Sequence, residues 1–491
     1  MSTFSYSIDQ IDKIFESASR CGQLKKDWLK LNDYDVDVLY SQLAATRKEL
    51  KKERAKAKKT KDNDKEEELQ EKLEENLEEK SYVERVIKEE VLHNIIQRNY
   101  SVHVERKYHN DSGKYIYVTG KDRDSFFACK MINDELQKTY KIKQPDRNVI
   151  LKNLKLLLLD HVDKMIVRGD IKSFFESIPY NELLETLEKD GIVSRRTIKI
   201  MKRMFYELNH NEDFEYIGGV PRGISFSPSL AGIYLRRIDE QISRLDGVYL
   251  YQRYVDDVII IASPTQAYPS AKILFSKVED IFREGKLFLH PEGDSKKYMA
   301  QDIRYDTPQK IVFDYLGYNI TLNTSKLKVT FRLTADRMEK YAVQIGKVID
   351  YYMHLATYNP RSKEKNSRIV IRHRQPLYRF KKLLAYLTCN YTLGGTKSNI
   401  LSGIYFKHSM LTDTSQLKQL DQELYREFEA KIKQSMFNGK FIDAEFVNKL
   451  RKKLHDDYSF EKGFAERRMS HLTSAEFRMI KHILQYEEAK D

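Results

Sequence analysis

Long apolar runs are missing from this chain. None reaches the ~18 residues that a membrane-spanning helix needs, and 32% of the residues are charged, which excludes a membrane-spanning role. Cysteine is scarce. Cys21, Cys129 and Cys389 are the only three, too scattered for a zinc cluster or a disulfide framework. The opening stretch MSTFSYSIDQIDKIF has no basic-then-apolar signal pattern, so a reduced, cytosolic setting is expected. No internal repeat is visible.

Positive charge is abundant. Lys and Arg number 86 against 73 Asp and Glu, a formal net charge of +13. That balance favours a polyanionic partner, nucleic acid before an anionic membrane surface. At 491 residues there is room for two or three domains. Ile11, Ile14 and Phe15 are spaced for one face of a helix within the first 40 residues. From Arg47 to Lys61 the chain is Lys/Arg-rich and from Lys65 to Lys80 Glu-rich, with a turn signal at Asp62, Asn63 and Asp64. Leu43 and Leu50 lie seven apart, and Leu69, Leu73 and Leu77 four apart. This predicts two long helices folded back on each other, basic arm along acidic arm. A spacer or oligomerising hairpin explains it better than RNA contact, because the acidic arm cancels much of the charge.

Residues 98–120 alternate and are broken at Asn110, Asp111, Ser112 and Gly113, which predicts a β-hairpin. Helix returns from Lys121 to Lys143, and another opens at Gln144-Pro145-Asp146 and runs through Arg147. An amphipathic helix is expected over 264–286, short strands over 311–332, and mostly helix after Ala335, with a basic loop at 359–375.

The stretch Tyr249–Ser263, YLYQRYVDDVIIIAS, sets two β-branched and aromatic runs around Val255, Asp256 and Asp257. Neighbouring carboxylates at the tip of a buried hairpin repel each other and are costly to desolvate. A divalent cation held by oxygen ligands is the usual compensation; a plain polar turn is the alternative. Upstream, KMIVRGDIKSFFESIP carries an apolar strand to Asp170, with Phe175 five residues on. GGVPRGISFSPSLAGIYL (218–235) leads a Gly/Pro loop with Arg222 and Ser225 into a helix, a context that can offer N–H groups and a cation to phosphates. LHPEGDSKKY places Lys296 and Lys297 after a turn, and FDYLGYNI (313–320) predicts a tight hairpin.

In that order, between about 164 and 320, the motifs resemble those of reverse transcriptases. The resemblance implies an α+β right-hand polymerase: an N-terminal helical region with a charged hairpin (1–97), fingers and a palm with an antiparallel sheet (98–325), and a helical thumb and C-terminal domain (326–491). It implies two Mg²⁺ ions, with Mn²⁺ as a substitute, ~3.5–4 Å apart. Asp170 and Asp256 would bridge them, the Ile171 backbone carbonyl would be a further ligand, and Asp257 a supporting charge. Nucleotide contacts would come from Phe175, Arg222, Gly223, Ser225, Tyr254, either Lys296 or Lys297, and the fingers residues Arg147 and Arg123. In such enzymes the aromatic at Phe175 lies under the incoming sugar and excludes a 2′-hydroxyl; together with Val255 it favours deoxynucleotides. Arg222 stands where many relatives have Gln.

No Cys/His cluster or second nuclease-like carboxylate set follows the palm. With RFKKLLAYLTCNYTLGGTKSNILSGIYFKHSML (379–411), the chain resembles bacterial abortive-infection or defence-associated reverse transcriptases, relatives of retron and group II intron enzymes. That likeness covers roughly 98 to 411. It implies an RNA template, in several members a dedicated noncoding RNA, a DNA product, homo-oligomers, and in some members priming from a tyrosine, for which Tyr6 is the candidate. The alternatives are a retron- or intron-derived enzyme with another role and a catalytically silent RNA-binding scaffold.

Overall fold

The computed structural model describes residues 6–20, 23–24, 28, 36–60, 62–109, 113–120, 122–143, 145–294, 296–357, 374–392, 401–437 and 444–485. The turn residues Asn110, Asp111 and Ser112 and most of the basic loop at 359–375 lie outside them. In chain order come α1 (Ile8–Arg20), α2 (Val36–Thr60), α3 (Asn63–Ile96), β1 (Glu105–His109), β2 (Lys114–Val118), α4 (Arg123–Tyr140), α5 (Arg147–Leu157) and β3 (Lys164–Asp170). Next are α6 (Phe174–Ser177), α7 (Tyr180–Asp190), α8 (Arg195–Asn209), α9 (Ser227–Ser243), β4 (Val248–Tyr254), β5 (Asp257–Ala262) and α10 (Ala271–Glu284). The remainder gives β6 (Met299–Ile303), β7 (Lys310–Tyr315), β8 (Tyr318–Asn323), β9 (Lys328–Leu333), α11 (Ala335–Thr357), α12 (Arg374–Thr388), β10 (Asn390–Thr392) and β11 (Leu401–Gly403). Helices α13 (Ile404–Lys407), α14 (Ser415–Phe437), α15 (Ala444–Asp456), α16 (Phe460–Ala465) and α17 (Ser474–Gln485) complete it.

The architecture is α+β with antiparallel sheets. The chain divides into two compact units, each assembled from separate stretches. Unit 1 holds 1–144, 170–245 and 275–290; unit 2 holds 145–169, 246–274 and 291–491. The division falls inside β3, before Asp170. Among the described residues no helix is long and apolar enough to cross a membrane.

In unit 1, α2 and α3 form the charged hairpin. Asp62 caps α3 by accepting from the Lys65 N–H, as a short acidic side chain does at a helix start. The arms are joined by Leu43 packing with Val83 and Ile87, by an Arg54–Glu66 ion pair at 3.3 Å, and by Asn76 Nδ2 donating to Leu43 O at 3.2 Å. Leu77 does not continue the seam begun by Leu69 and Leu73; it is 46% exposed. A strict spacing of four drifts around a helix of 3.6 residues per turn, and the buried row passes to Asn76, Val83 and Ile87 instead.

Unit 2 contains a four-stranded sheet in the order β4-β5-β3-β6. The inner strand β5 is Val258 to Ala262 buried throughout, as a strand covered on both faces requires. The sheet β7-β8-β9 instead alternates: Ile311, Phe313 and Tyr315, then Tyr318, Ile320 and Leu322, then Val329, Phe331 and Leu333 are buried. Period-2 burial puts one face against the core, which Ile345, Val348, Leu417 and Leu424 of α11 and α14 share.

Candidate active site

In unit 2, β4 and β5 pair antiparallel with Tyr254 opposite Asp257, leaving Val255 and Asp256 as a two-residue turn. Val255 takes φ 61°. A β-branched residue in the left-handed region is strained, and a tight hairpin turn normally puts glycine there. Arg253 Nη1 donates to Val255 O at 3.0 Å. Tyr254 packs on the unit 2 core, and the Asp256 and Asp257 side chains are half-buried.

Asp257 is not alone. Arg168 Nε donates to its Oδ1 at 3.0 Å, and Nη2 of the same guanidinium lies 3.0 Å from that oxygen. Arg168 is 6% exposed and also donates through Nη1 to Lys296 O at 2.6 Å. Pairing of this kind is what makes a buried guanidinium tolerable. The Lys296 ammonium reaches Asp336 Oδ1 at 3.3 Å, and Lys297 is half-buried.

In unit 1, Asp170 Oδ1 lies 3.3 Å from His290 Nε2. Asp170 O accepts from His290 N at 2.9 Å, and Lys172 N donates to Phe288 O at 2.8 Å, on either side of an Ile171–Leu289 bridge. Successive carbonyls of extended backbone point to opposite edges, so the Ile171 carbonyl is turned away from that bridge.

Phe175 is the second residue of α6, beside buried Phe174, their rings 4.9 Å apart. The Arg222 guanidinium lies over its ring at 5.3 Å. Arg222 is clamped by Glu176, Nε to Oε1 at 3.0 Å and Nη2 to Oε2 at 3.2 Å. Burial alone would raise the Glu176 carboxyl; the hydrogen bonds from Arg222 and from its own backbone N–H, with the charges of Arg222 and Lys114, together outweigh burial and leave it below the ordinary carboxylate range. Val220 N donates to Phe175 O at 2.7 Å, and Gly219 (φ +75°) passes so close that a Cβ would fall 2.4 Å from the Phe175 and Glu176 carbonyls. Arg222 O accepts from Tyr117 N of β2 at 2.7 Å. At Gly223 a Cβ would meet Tyr117 O at 2.6 Å. Ser225 Oγ is buried without a hydrogen-bond partner among the described residues.

Three of the sequence-derived residues are committed to other partners. Arg123 is 13% exposed and lies between Glu90 (2.9 Å) and Asp124 (3.0 Å), so protein carboxylates satisfy its guanidinium. Arg147, expected in the fingers, falls in unit 2, where Nε donates to Leu316 O at 2.9 Å. The Tyr6 hydroxyl is hydrogen-bonded to Thr197 Oγ1 at 2.6 Å, and burial pushes its phenol pKa up. Both effects make it a poor nucleophile, unlike an open N-terminal primer.

Among the described residues no group of three or more His, Cys, Asp or Glu side chains is arranged to hold a metal ion. Asp257 faces Arg168 and Asp170 faces His290, so two of the three expected ligands rest against protein nitrogen. Sequence reasoning missed Arg168, His290 and Glu176. A charge inside the apolar strand KMIVRGD, two residues before Asp170 and on the same strand face, was the available signal for the first. His290 stood in the quoted LHPEGDSKKY, and Glu176 directly follows Phe175.

The chain resembles telomerase from Candida albicans, solved with a TWJ fragment of telomeric RNA, with 11% identity and a TM-score of 0.35 over 72% of this chain and 54% of that one. It is 35% identical over 88 residues to an uncharacterized 91 kDa protein in cob intron of Schizosaccharomyces pombe (strain 972 / ATCC 24843), covering 18% of this chain and 11% of that protein's length. Residues 119–320 match the family described as reverse transcriptase (RNA-dependent DNA polymerase). The stretch that matches this family holds Asp170, Phe175, Arg222 and the Asp256–Asp257 hairpin.

Proposed function

We propose that the chain is an RNA-templated DNA polymerase serving bacterial anti-phage defence, acting in the cytoplasm as a homo-oligomer on a noncoding RNA. The observation that carries the polymerase reading is the carboxylate pair on the Val255–Asp256 turn, inside the segment that matches reverse transcriptases. Defence and the noncoding RNA rest on the sequence resemblance alone.

The donors Asp170, Asp256, Asp257 and the Ile171 carbonyl are all hard oxygens, the set that suits Mg²⁺. When bound, two such ions would lower the pKa of a primer hydroxyl and neutralise pyrophosphate charge. The chain's own residues do the rest. Arg168 fixes the rotamer of Asp257, and His290 that of Asp170. Phe175, with the Arg222 guanidinium over its ring, would lie under the incoming sugar, tolerating a deoxyribose and crowding a 2′-hydroxyl. The Lys296–Lys297 turn adds positive charge for the leaving group.

Purified chain incubated with an RNA template, deoxynucleotides and Mg²⁺ should extend DNA, and Asp256→Asn should abolish extension. Synthesis by Asp256→Asn at the native rate would remove the assignment. The Asp257–Arg168 pair favours one second reading, a silent RNA-binding scaffold; lack of synthesis on any copurifying RNA would select it. Covalent DNA mapped to a tyrosine would establish protein priming, and Tyr6 is poorly prepared for that role.

A further inference from the structure

Unit 2 contains a second polar site, formed around the β7–β8 turn. Leu316 (φ 46°) and Gly317 (φ 74°) make that turn, and an arginine is seated on each. Arg147 of α5 donates to Leu316 O, and also through Nη1 to Lys407 O at 3.3 Å. Arg337 of α11 occupies the space above Gly317, where a Cβ would lie 2.2 Å from its guanidinium. Both guanidiniums lie over the Tyr318 ring, at 4.9 and 5.8 Å.

Arg147, Arg337, Lys340, Tyr341, Lys407 and His408 line a cavity of about 220 Å³. None of the described residues that line it is acidic. Arg337 Nη1 donates to His408 Nδ1 at 3.2 Å, which leaves the histidine proton on Nε2, facing the Tyr341 hydroxyl at 2.8 Å. His408 is therefore neutral and relieves none of the repulsion among the cations. Burial first, then Arg147, weakens the hold of Arg337 on its proton. Arg147 Nη2 is buried and has no hydrogen-bond partner among the described residues. Two guanidiniums, Arg147 and Arg337, brought together in a lining without an acidic side chain cost free energy, as does a buried donor without an acceptor. One anion relieves both.

We propose that this cavity binds a phosphate group, gripped by Arg147 and Arg337 with Lys340 and Lys407 at its rim. Planar guanidinium forks match phosphate oxygens. The volume falls below the ~300–1,000 Å³ of sites for drug-sized ligands, which suits a phosphoryl group rather than a whole nucleotide. Inorganic phosphate and the terminal phosphate of a nucleic acid share this chemistry. The site stands apart from the polymerase reading, because its readout is binding.

The full chain should melt at rising temperature as potassium phosphate replaces potassium chloride at matched ionic strength, since a ligand of the native state alone stabilises it. Arg337→Gln should weaken phosphate about tenfold, the order expected for losing a charge-assisted hydrogen bond. Should that variant not fold, Lys407→Gln, at an exposed position, should weaken it severalfold. A 5′-phosphorylated oligonucleotide that outbinds its 5′-hydroxyl counterpart, with inorganic phosphate erasing the advantage, assigns the site to a nucleic-acid end. Equal binding of the two, with the phosphate effect on melting intact, assigns it to free phosphate. The proposal fails if phosphate stabilises no more than chloride, or if the variants respond like the native chain.

Discussion

Arg168 and Asp257 form a nearly closed ion pair at the base of the acidic hairpin: Nε and Nη2 both sit 3.0 Å from Oδ1, with side chains 8% and 17% exposed. The same guanidinium holds the Lys296 carbonyl, so one side chain ties β3, the hairpin and the lysine turn together within unit 2. Removing one partner of a buried pair strands the other. Arg168→Met should therefore cost about 3 kcal/mol of stability, measured by urea denaturation, and lower polymerase turnover more than it raises KM. Arg168→Lys should recover only part of both, because an ammonium cannot make the forked contact. A loss in Arg168→Met below about 1 kcal/mol would show that the pair acts as if exposed.

Val255 carries the strain of the turn. Glycine there removes the left-handed penalty of about 1–2 kcal/mol but adds about 0.5–1 kcal/mol of unfolded-chain entropy. Val255→Gly should thus raise the urea midpoint slightly, whereas Val255→Ile should not. A clear drop for the glycine variant would mean that the Val255 side chain contributes packing that outweighs its backbone cost.

Glu176 acts on Phe175 through Arg222. With Glu176→Gln the guanidinium loses its bidentate partner, and the ring loses its cover. The expected outcome is severalfold weaker discrimination of deoxynucleotides against ribonucleotides, read as the ratio of kcat/KM values, with overall synthesis retained. An unchanged ratio would leave the clamp a structural contact only.

His408 provides a pH signature. Burial, then Arg337, Arg147 and Lys407, push its pKa from the ordinary 6.5 down to about 2. Tyr341 of α11 and Tyr318 of β8 also face it, and Lys340 and Tyr386 share its cavity. The unfolded chain takes up a proton as the pH falls below 6.5, and the folded chain refuses it. Stability should therefore drop with acidification, at up to about 1.4 kcal/mol per pH unit. His408→Gln should flatten that part of the slope in chemical denaturation. Asp413 and Glu476, each held down at about 2, contribute losses in the same direction but only below their ordinary 3.8 and 4.5, so the windows separate.

The local grammar of the chain was readable. Alternation and turn residues locate the Asp256–Asp257 hairpin and the Leu316–Gly317 turn, because both are set by neighbours in sequence. The pairs that tune the site were not readable. Arg168 and Asp257 are 89 residues apart, and Glu176 and Arg222 are 46 apart, so nothing local in either partner names the other. Arg222 drew attention as a departure from Gln, yet its charge is answered by Glu176 rather than left open. Val255 hid its conformation, since a β-branched residue signals strand where the backbone makes a left-handed turn. Leu77 misled because a spacing of four imitates a helix face for only two turns.

Asn76 lies 6% exposed in the seam between the two charged arms, one amide hydrogen on Leu43 O and its Oδ1 unmatched among the described residues. Sliding one arm past the other by a turn would cost the amide its single partner. A polar group placed among leucines thus acts as a ratchet tooth. It gives up some cohesion so that the arms have one alignment, and a push at the tip arrives at the root as displacement rather than slippage.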